Sequence, residues 1–256
     1  ILIHGGLWMF NYYLTYQPDV PVGIGFGQFS GTHLAVLGVL AIGIYYLVHR
    51  YQRLTLAGRR HQRWGIALAI WTMELFKDIY LATTGQWDPN LLPFHLCGFG
   101  LMMVAIDAIR PNKTTQTILY SLTIWGAVAA EIFPDWAYYP LLNQWALQSF
   151  VIHALLITYP LMLMVSGEMV PNWRDLWRSV VFLCGAVPFV LWVNARLQTN
   201  FFFLNTAAPG SPLEPLQHMF GHGALYISVI IMLLGVLWVV MYLPWALAPR
   251  RKPILA

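Results

Sequence analysis

Charged residues are scarce in this sequence. Only 9% of the 256 residues are Asp, Glu, Lys or Arg, whereas 59% are hydrophobic. Soluble domains carry roughly 25% charged residues, so a chain of this composition would expose too much apolar surface to stay in solution. The composition therefore excludes an ordinary soluble domain and favours a lipid environment, in which helices satisfy their own backbone groups.

Cysteine and internal repetition are also lacking. Cys97 and Cys184 are the only cysteines, which excludes a small fold held together by a framework of disulfides. No repeat of about 20–50 residues is visible along the chain, which argues against a solenoid and against the repeat symmetry of many transporters. We therefore expect a single membrane domain.

Long apolar stretches are what the sequence does contain. A membrane-spanning helix needs about 20 mostly apolar residues. Seven windows meet that requirement: 32–49, 64–84, 91–109, 115–134, 146–168, 177–197 and 221–245. Glycine and proline residues fall between the windows, where helices are expected to end. The sequence thus predicts an all-α polytopic membrane helix bundle with about seven transmembrane helices.

The basic residues predict the orientation of this bundle. Most Lys and Arg residues lie in alternate connections and in the C-terminal tail, and the intervening loops 85–90 and 135–145 have none. Because cytoplasmic loops are enriched in Lys and Arg, we expect the N-terminus on the outer face and the C-terminus in the cytoplasm. The net charge of +4 then reflects topology and contact with anionic lipid, and not binding to nucleic acid.

The same patterns divide the chain into three parts. Residues 1–31 are rich in aromatic side chains and contain a single charge, Asp19. Aromatic rings concentrate at membrane–water interfaces, so we expect this segment to lie in the outer interface. Residues 32–245 form the predicted seven-helix transmembrane domain, and residues 246–256 form a basic cytoplasmic tail.

In the predicted topology, ionisable and amide side chains gather in the outer halves of the helices. The set comprises Glu74, Asp78, His95, Cys97, His153, Asn194, Arg196, Asn200, His218 and His222. Because polar groups at membrane depth are costly, we expect a water-accessible cavity there. The structural alternative is that these groups extend to the interface, and that the acidic pair on the second helix, with Lys77 between its members, only forms ion pairs across the bundle.

Two kinds of chemistry fit this set of residues. A thiolate needs a base, usually histidine. Within the predicted windows, Cys97 and His153 each lie six or seven residues into a helix, a common depth of about 10 Å. His95 lies two residues from Cys97 and points away from it on a helix. Alternatively, His218 and His222 have the i, i+4 spacing of a zinc site, which His95 or His153 would complete.

Four short runs carry a family resemblance. They are FSGTH at 29–33, LPFHLC at 92–97, SFVIH at 149–153 and NFFFLNTAAPGSPLEPL at 200–216. In their order and spacing, the runs resemble the YwaF-like family of bacterial integral membrane proteins over about residues 29–245. The resemblance implies a relationship to eukaryotic transmembrane acyltransferases that remodel ether phospholipids. It also implies that Cys97 and His153 are the catalytic pair, and it leaves the bacterial substrate open.

We therefore expect a membrane lipid acyltransferase or acyl hydrolase of the cell membrane that needs no cofactor. Cys97 would attack an acyl ester after His153 removes the thiol proton, and Glu74 or Asp78 would orient an imidazole. The expected partners are membrane lipids, most simply phospholipids. The alternatives are a zinc-dependent membrane lipid hydrolase, and a transporter or non-catalytic membrane subunit.

Four further residues have supporting roles in this expectation. The tetrahedral oxyanion needs hydrogen-bond donors, and His95, Asn194 and Asn200 are the candidates. Arg196 would hold a lipid phosphate through paired hydrogen bonds. The predicted outer position of these residues implies a substrate in the outer leaflet.

Overall fold

The computed structural model describes residues 11–17 and 19–247. These residues form eight α-helical elements and no strand. In chain order the helices are α1, Gly31–Arg53; α2, Leu56–Thr83; α3, Leu96–Ile109; α4, which joins Lys113–Ile118, the π-helical turn Leu119–Thr123 and Ile124–Ile132; α5, Gln144–Val165; α6, Trp177–Leu197; α7, Leu213–Phe220; and α8, Ala224–Leu247. Short 3-10 turns cover Pro89–Leu91, Trp173–Asp175 and Phe201–Phe203.

Helix starts follow from capping residues that the sequence supplies. The Ser30 hydroxyl accepts from the His33 backbone N–H at the start of α1, and Thr55 caps α2 in the same way. Asn112 and Asn143 each accept two backbone N–H groups at the first turns of α4 and α5. Such side chains satisfy donors that the first helical turn leaves without partners.

Helices coincide with all seven predicted windows, and among residues 11–17 and 19–247 four segments are long and apolar enough to span a membrane. These are Gly31–Arg53, Gln144–Val165, Trp173–Leu197 and Ala224–Leu247; Leu96–Ile109 is apolar but shorter. The chain is therefore an all-α membrane protein. Seven spans and the orientation of the termini stay predictions.

The predicted start of the third helix at residue 91 is wrong. The helix begins at Leu96, with His95 as its N-cap. Pro93 accounts for the difference, because a proline disfavours helical backbone in the residue before it and lacks the N–H that a helix interior needs. A 3-10 turn and an extended stretch occupy the preceding residues instead.

Helix α5 lies at the centre of the bundle. It packs against α1, α2, α3 and α4, and 61% of its most apolar stretch is buried, whereas the corresponding share of α1 is 6%. Helix α6 packs on the first turns of α4, and α8 contacts α7 and the 173–175 turn. The exposed apolar faces of α1, α6 and α8 are therefore the surfaces that lipid would cover.

The part of the predicted interface segment that is described, 11–17 and 19–30, covers one end of this bundle. Asn143 Nδ2 donates to the carbonyls of Tyr12 and Thr15 at 2.7 and 2.8 Å. The Tyr16 ring meets Trp145 edge-on. Residues 1–10 and most of the predicted basic tail, 248–256, lie outside the described residues.

At the opposite end, buried charges are paired. The Glu168 carboxylate accepts from Arg59 Nη1 at 3.0 Å, from Arg63 Nη1 at 3.1 Å and from the Tyr51 hydroxyl at 2.9 Å. We call this end of the bundle the arginine end. This cluster was not predicted from the sequence, and it ties the end of α1 and the start of α2 to the turn that follows α5.

Asp107 forms a second paired group towards the arginine end. It is fully buried, and it accepts from the Thr115 hydroxyl at 2.9 Å and from the Tyr159 hydroxyl at 3.1 Å. These bonds link α3, α4 and α5. A buried carboxylate needs such partners, because an unpaired one carries a large desolvation cost.

Candidate functional site

The LPFHLC run forms a tight entry into α3 that determines where Cys97 lies. His95 is the N-cap and Cys97 is the second helical residue. A side chain at Gly98 would approach the Pro93 carbonyl oxygen to 2.4 Å, so only glycine fits this close approach of the turn to the helix. We call the end of the bundle that contains Cys97 the cysteine end.

The prediction that Cys97 lies one and a half turns into its helix is therefore wrong, because α3 starts later than expected. The thiol lies in the first turn, next to the Gly98 backbone N–H. Backbone N–H groups at a helix N-terminus favour negative charge, which is the form a nucleophilic thiol requires.

His153 is buried in α5 and held from two directions. Its ring stacks on Trp136, with ring centroids 5.0 Å apart and planes 15° from parallel. Its Nδ1 lies 2.7 Å from the Ser149 carbonyl oxygen. A carbonyl only accepts hydrogen bonds, so Nδ1 carries the proton and Nε2 is left with the lone pair. The imidazole is thereby held in the tautomer that a general base needs.

Several of the predicted ionisable groups of the cysteine end influence one another electrostatically, without direct hydrogen bonds between Cys97 and His153 among the described residues. Cys97 and His153 both interact electrostatically with Glu74 and with Lys77. His95 interacts with His153 and with Lys77. The helices that carry the two predicted catalytic residues, α3 and α5, pack against each other.

The acidic pair on α2 has a different arrangement from the predicted one. Glu74 forms an ion pair with Lys77 within its own helix, and not across the bundle. Asp78 Oδ1 is buried without a hydrogen-bond partner in the described part of the chain. Because the Ser149 carbonyl occupies His153 Nδ1, neither carboxylate is needed to hold that nitrogen.

The two predicted amide donors shape the loop after α6. Asn194 Nδ2 donates to the Phe201 carbonyl at 3.0 Å, and its Oδ1 accepts from Phe201 N at 2.8 Å. Asn200 makes the same kind of contact with Asn205 and Thr206. This loop brings Phe201 and Phe203 against the His95 ring, with centroids 5.1 and 5.2 Å apart.

Three predicted residues lie at the surface. Arg196 is exposed near the end of α6, and it has no ion pair within the described ranges 11–17 and 19–247. His218 and His222 are also exposed. His222 Nδ1 lies 3.3 Å from the Asn205 carbonyl oxygen.

The prediction that His218 and His222 share a helical face is wrong. Helix α7 ends at Phe220, and Gly221 follows with φ 74°, a conformation that suits glycine and terminates helices. Among the described residues no group of three or more His, Cys, Asp or Glu side chains has an arrangement that could hold a metal ion. Cys184 is exposed on α6.

The sequence did not single out Gln148 on α5 or Trp136, which stacks on His153. Both side-chain polar atoms of Gln148 and the Nε1 of Trp136 are buried without a hydrogen-bond partner. Glu131 is buried near the Ala154 backbone N–H, yet neither of its oxygens has a partner at hydrogen-bonding geometry. The i, i+4 spacing of Ser149 and His153 was the available signal, because it places a carbonyl one turn before the ring.

Comparison with known sequences identifies the family. The sequence model of the TMEM164 family matches residues 28–242, so the chain belongs to this family of transmembrane proteins. The expectation that the chain belongs to a family of transmembrane proteins is thus confirmed, and the resemblance to the YwaF-like family and to acyltransferases stays a prediction. No curated protein and no solved structure matches the chain.

Proposed function

We propose that this member of the TMEM164 family is a membrane lipid acyltransferase, or a related acyl hydrolase, that uses Cys97 and His153. The observation that carries the proposal is the state of His153. Its Nδ1 is bound to the Ser149 carbonyl and its ring is stacked on Trp136, so a buried imidazole is fixed with Nε2 ready to accept a proton.

The position of Cys97 supports its role as the nucleophile. Burial in an apolar bundle opposes the negative charge of a thiolate. The N-terminus of α3, the Gly98 N–H and the Lys77 ammonium favour that charge, whereas the carboxylates of Glu74 and Asp135 oppose it. The helix N-terminus and a histidine base are therefore the features that support Cys97 as a nucleophile.

Acyl transfer then proceeds in two balanced steps. The Cys97 thiol gives its proton to His153 Nε2, the sulfur attacks the ester carbonyl carbon, and a C–S bond replaces the ester C–O bond. The lysolipid oxygen leaves with the proton from His153. An acceptor hydroxyl next attacks the thioester while His153 removes its proton, which restores the thiol; water in place of the acceptor gives hydrolysis.

The proposal keeps the predicted oxyanion donors and the phosphate-binding arginine, but it changes which groups act as donors. The backbone N–H groups of the first turn of α3 are better oxyanion donors than Asn194 and Asn200, since both amides already hold a loop. His95 remains a candidate donor. Arg196, which is exposed near this end, would contact a phosphate headgroup at the surface.

The substrate in this proposal is a phospholipid of the cell membrane. The exposed apolar helices α1, α6 and α8 give lipid direct access to the bundle. With the orientation that the basic residues predict, the cysteine end faces the outer leaflet. The donor would therefore be an outer-leaflet lipid rather than a cytosolic thioester.

A transfer assay in lipid nanodiscs tests the proposal. The discs contain a phospholipid with one deuterated acyl chain and an unlabelled lysophospholipid acceptor, and mass spectrometry follows the labelled product. We expect Cys97→Ala and His153→Gln to lower the rate at least about 100-fold, since nucleophilic and acid–base groups contribute effects of this size. Cys184→Ala is the matched control, because it removes the other thiol, and it should leave the rate unchanged.

The outcome that contradicts the proposal is transfer that survives Cys97→Ala. If purified protein then carries stoichiometric zinc, the zinc-dependent hydrolase replaces the thiol mechanism. If neither transfer nor hydrolysis occurs with any lipid pair, while an ion or lipid flux across proteoliposomes depends on Asp78, the chain is a transporter instead.

A further inference from the structure

A groove at the arginine end lies between two helices that follow each other in the chain. Its volume is about 430 Å³, and its walls come from the last turns of α1, the first turns of α2 and Leu155 of α5. This volume is within the range of roughly 300–1,000 Å³ that small-molecule sites occupy. The outer part of the groove is far from the cysteine end, because Gly58 and Glu74 lie sixteen positions apart on α2, about 24 Å along its axis. The inner wall reaches Leu155, which lies two residues after His153 on α5.

The groove exists because α1 packs on α5 and makes few contacts with α2. On α2 the residues that face the gap are Gly58, Gln62, Gly65 and Ala69, whose spacing places them on one helical face. A Cβ at Gly65 would meet nothing within 4 Å. The gap at this position is therefore open, and it would accommodate an apolar chain from the bilayer.

The inner wall of the groove is apolar and its rim is cationic. Leu47, Ile66 and Leu155 line the wall, and the exposed side chains of Arg50 and His61 stand at the rim. Gln62 positions the arginine: its Oε1 accepts from Arg50 Nη1 at 3.3 Å, and its Nε2 donates to the Leu47 carbonyl at 2.9 Å.

The arginines near the groove differ in what they bind. Arg59 and Arg63 both pair with Glu168. Arg50 pairs with no carboxylate in the part of the chain that the structure describes, and its remaining N–H donors point to no protein acceptor. A guanidinium with free donors beside an apolar groove matches a phosphate group attached to an acyl chain.

We propose that this groove binds one anionic phospholipid, with a phosphodiester headgroup at Arg50 and His61 and one acyl chain along Gly65 and Leu155. This lipid is bound and not converted, since the groove contains no nucleophile. The proposal is independent of the chemistry proposed at Cys97. It assigns the arginine end a binding preference for negatively charged lipid.

Native mass spectrometry of the purified chain tests the groove. The protein is exchanged into micelles containing equal amounts of a phosphatidylglycerol and a phosphatidylcholine with identical acyl chains, and the retained lipid is counted. We expect one phosphatidylglycerol per chain in preference to phosphatidylcholine. Arg50→Gln should lower that preference about tenfold, the size of a lost charged hydrogen bond.

Filling the groove gives a second variant that does not alter charge. Gly65→Phe should remove the retained phosphatidylglycerol. Gly185→Phe on α6 is the matched control, because a side chain there also meets open space, and it should retain the lipid. Both variants place a phenylalanine at an exposed helix position, so we expect any loss of stability to be similar in the two. Gel filtration checks that both variants remain folded.

Three results would overturn the proposal. Retention of the two lipids in equal amounts would exclude headgroup recognition. Unchanged retention in Gly65→Phe would show that the acyl chain lies elsewhere. Displacement of the lipid by glycerol phosphate at equal concentration would mean that the site recognises a free phosphate and not a lipid. Cys97→Ala protein should retain the lipid like the parent, which separates this site from the proposed catalysis.

Discussion

Both ends of the bundle contain buried polar side chains, but the hydrogen bonding of these side chains differs. At the arginine end, Glu168 binds two arginines and a tyrosine, and Asp107 binds Thr115 and Tyr159. The Nε atoms of Arg59 and Arg63 lack partners, but each guanidinium is bound through Nη1. At the cysteine end, Gln148, Asp78 and Trp136 each have buried polar atoms without partners among the described residues. Pairing makes buried charge compatible with a stable fold, whereas unpaired buried groups cost free energy and are typical of sites that receive water or a ligand.

This difference separates the polar residues that hold the helices together from those that are free to bind a substrate or take part in a reaction. His153 belongs to both categories, since Nδ1 is bound and Nε2 is not engaged in a hydrogen bond among the described residues. We therefore expect substitutions at the arginine end to change stability, and substitutions at the cysteine end to change activity.

The largest effect on stability is expected at Glu168. Glu168→Gln breaks both ion pairs and leaves two arginines without a counter-charge, which should lower the free energy of unfolding by about 3 kcal/mol. Asp175→Asn is the matched control, because its pair with Arg178 is longer, at 3.6 Å, and more exposed; it should cost less than about 1 kcal/mol. If denaturant titrations showed the same loss of unfolding free energy in the two variants, the special stabilising role of the Glu168 pairs would be contradicted.

Removing the hydroxyl from each of two fully buried tyrosines tests the difference between hydrogen-bonded and unpartnered polar groups. Tyr159 donates to Asp107, whereas the Tyr226 hydroxyl has no partner within the described residues. Tyr159→Phe should lower the free energy of unfolding by about 1 kcal/mol, the scale of a hydrogen bond inside a membrane protein. Tyr226→Phe should leave it unchanged or raise it, and a loss as large as that of Tyr159→Phe would contradict the account.

Gln148→Leu tests whether an unpartnered polar group at the cysteine end contributes to activity and not to stability. No hydrogen bond within the described residues is lost and a desolvated amide is removed, so the free energy of unfolding should stay constant or rise by about 1 kcal/mol. We expect acyl transfer to fall, because the proposed cavity would use this buried amide, five residues before His153 on α5. A destabilised variant with full activity would show that Gln148 is structural.

Much of the helical architecture was predictable from the sequence, because apolar windows and their glycine and proline boundaries determine where helices form. The start of α3 was not predictable. Pro93 lies inside an apolar window, and the residue at which the helix begins after this proline depends on the 3-10 turn before it. The helical face proposed for His218 and His222 failed for a similar reason. Gly221 ends α7 in a left-handed conformation, which the i, i+4 spacing does not reveal.

The sequence predicted that the candidate residues lie at one end of the bundle, but it did not predict their contacts, and their role in catalysis stays a prediction. The topology predicted that Glu74, His95, Cys97 and His153 lie at one end. That Glu74 would pair within its own helix, and that Ser149 would hold the imidazole through a backbone carbonyl, depended on side-chain conformations. The Glu168 cluster was missed because its members come together only when the end of α1 and the start of α2 pack on the turn after α5.

Trapping the acyl-enzyme tests the central claim most directly. Protein in nanodiscs with a donor phospholipid and no acceptor is quenched in acid, and its intact mass is measured before and after hydroxylamine. We predict a mass increase equal to one acyl chain, located on Cys97, removed by hydroxylamine, absent in Cys97→Ala and present in Cys184→Ala. Acyl transfer without any adduct on Cys97, or with the adduct on Cys184, would contradict the account.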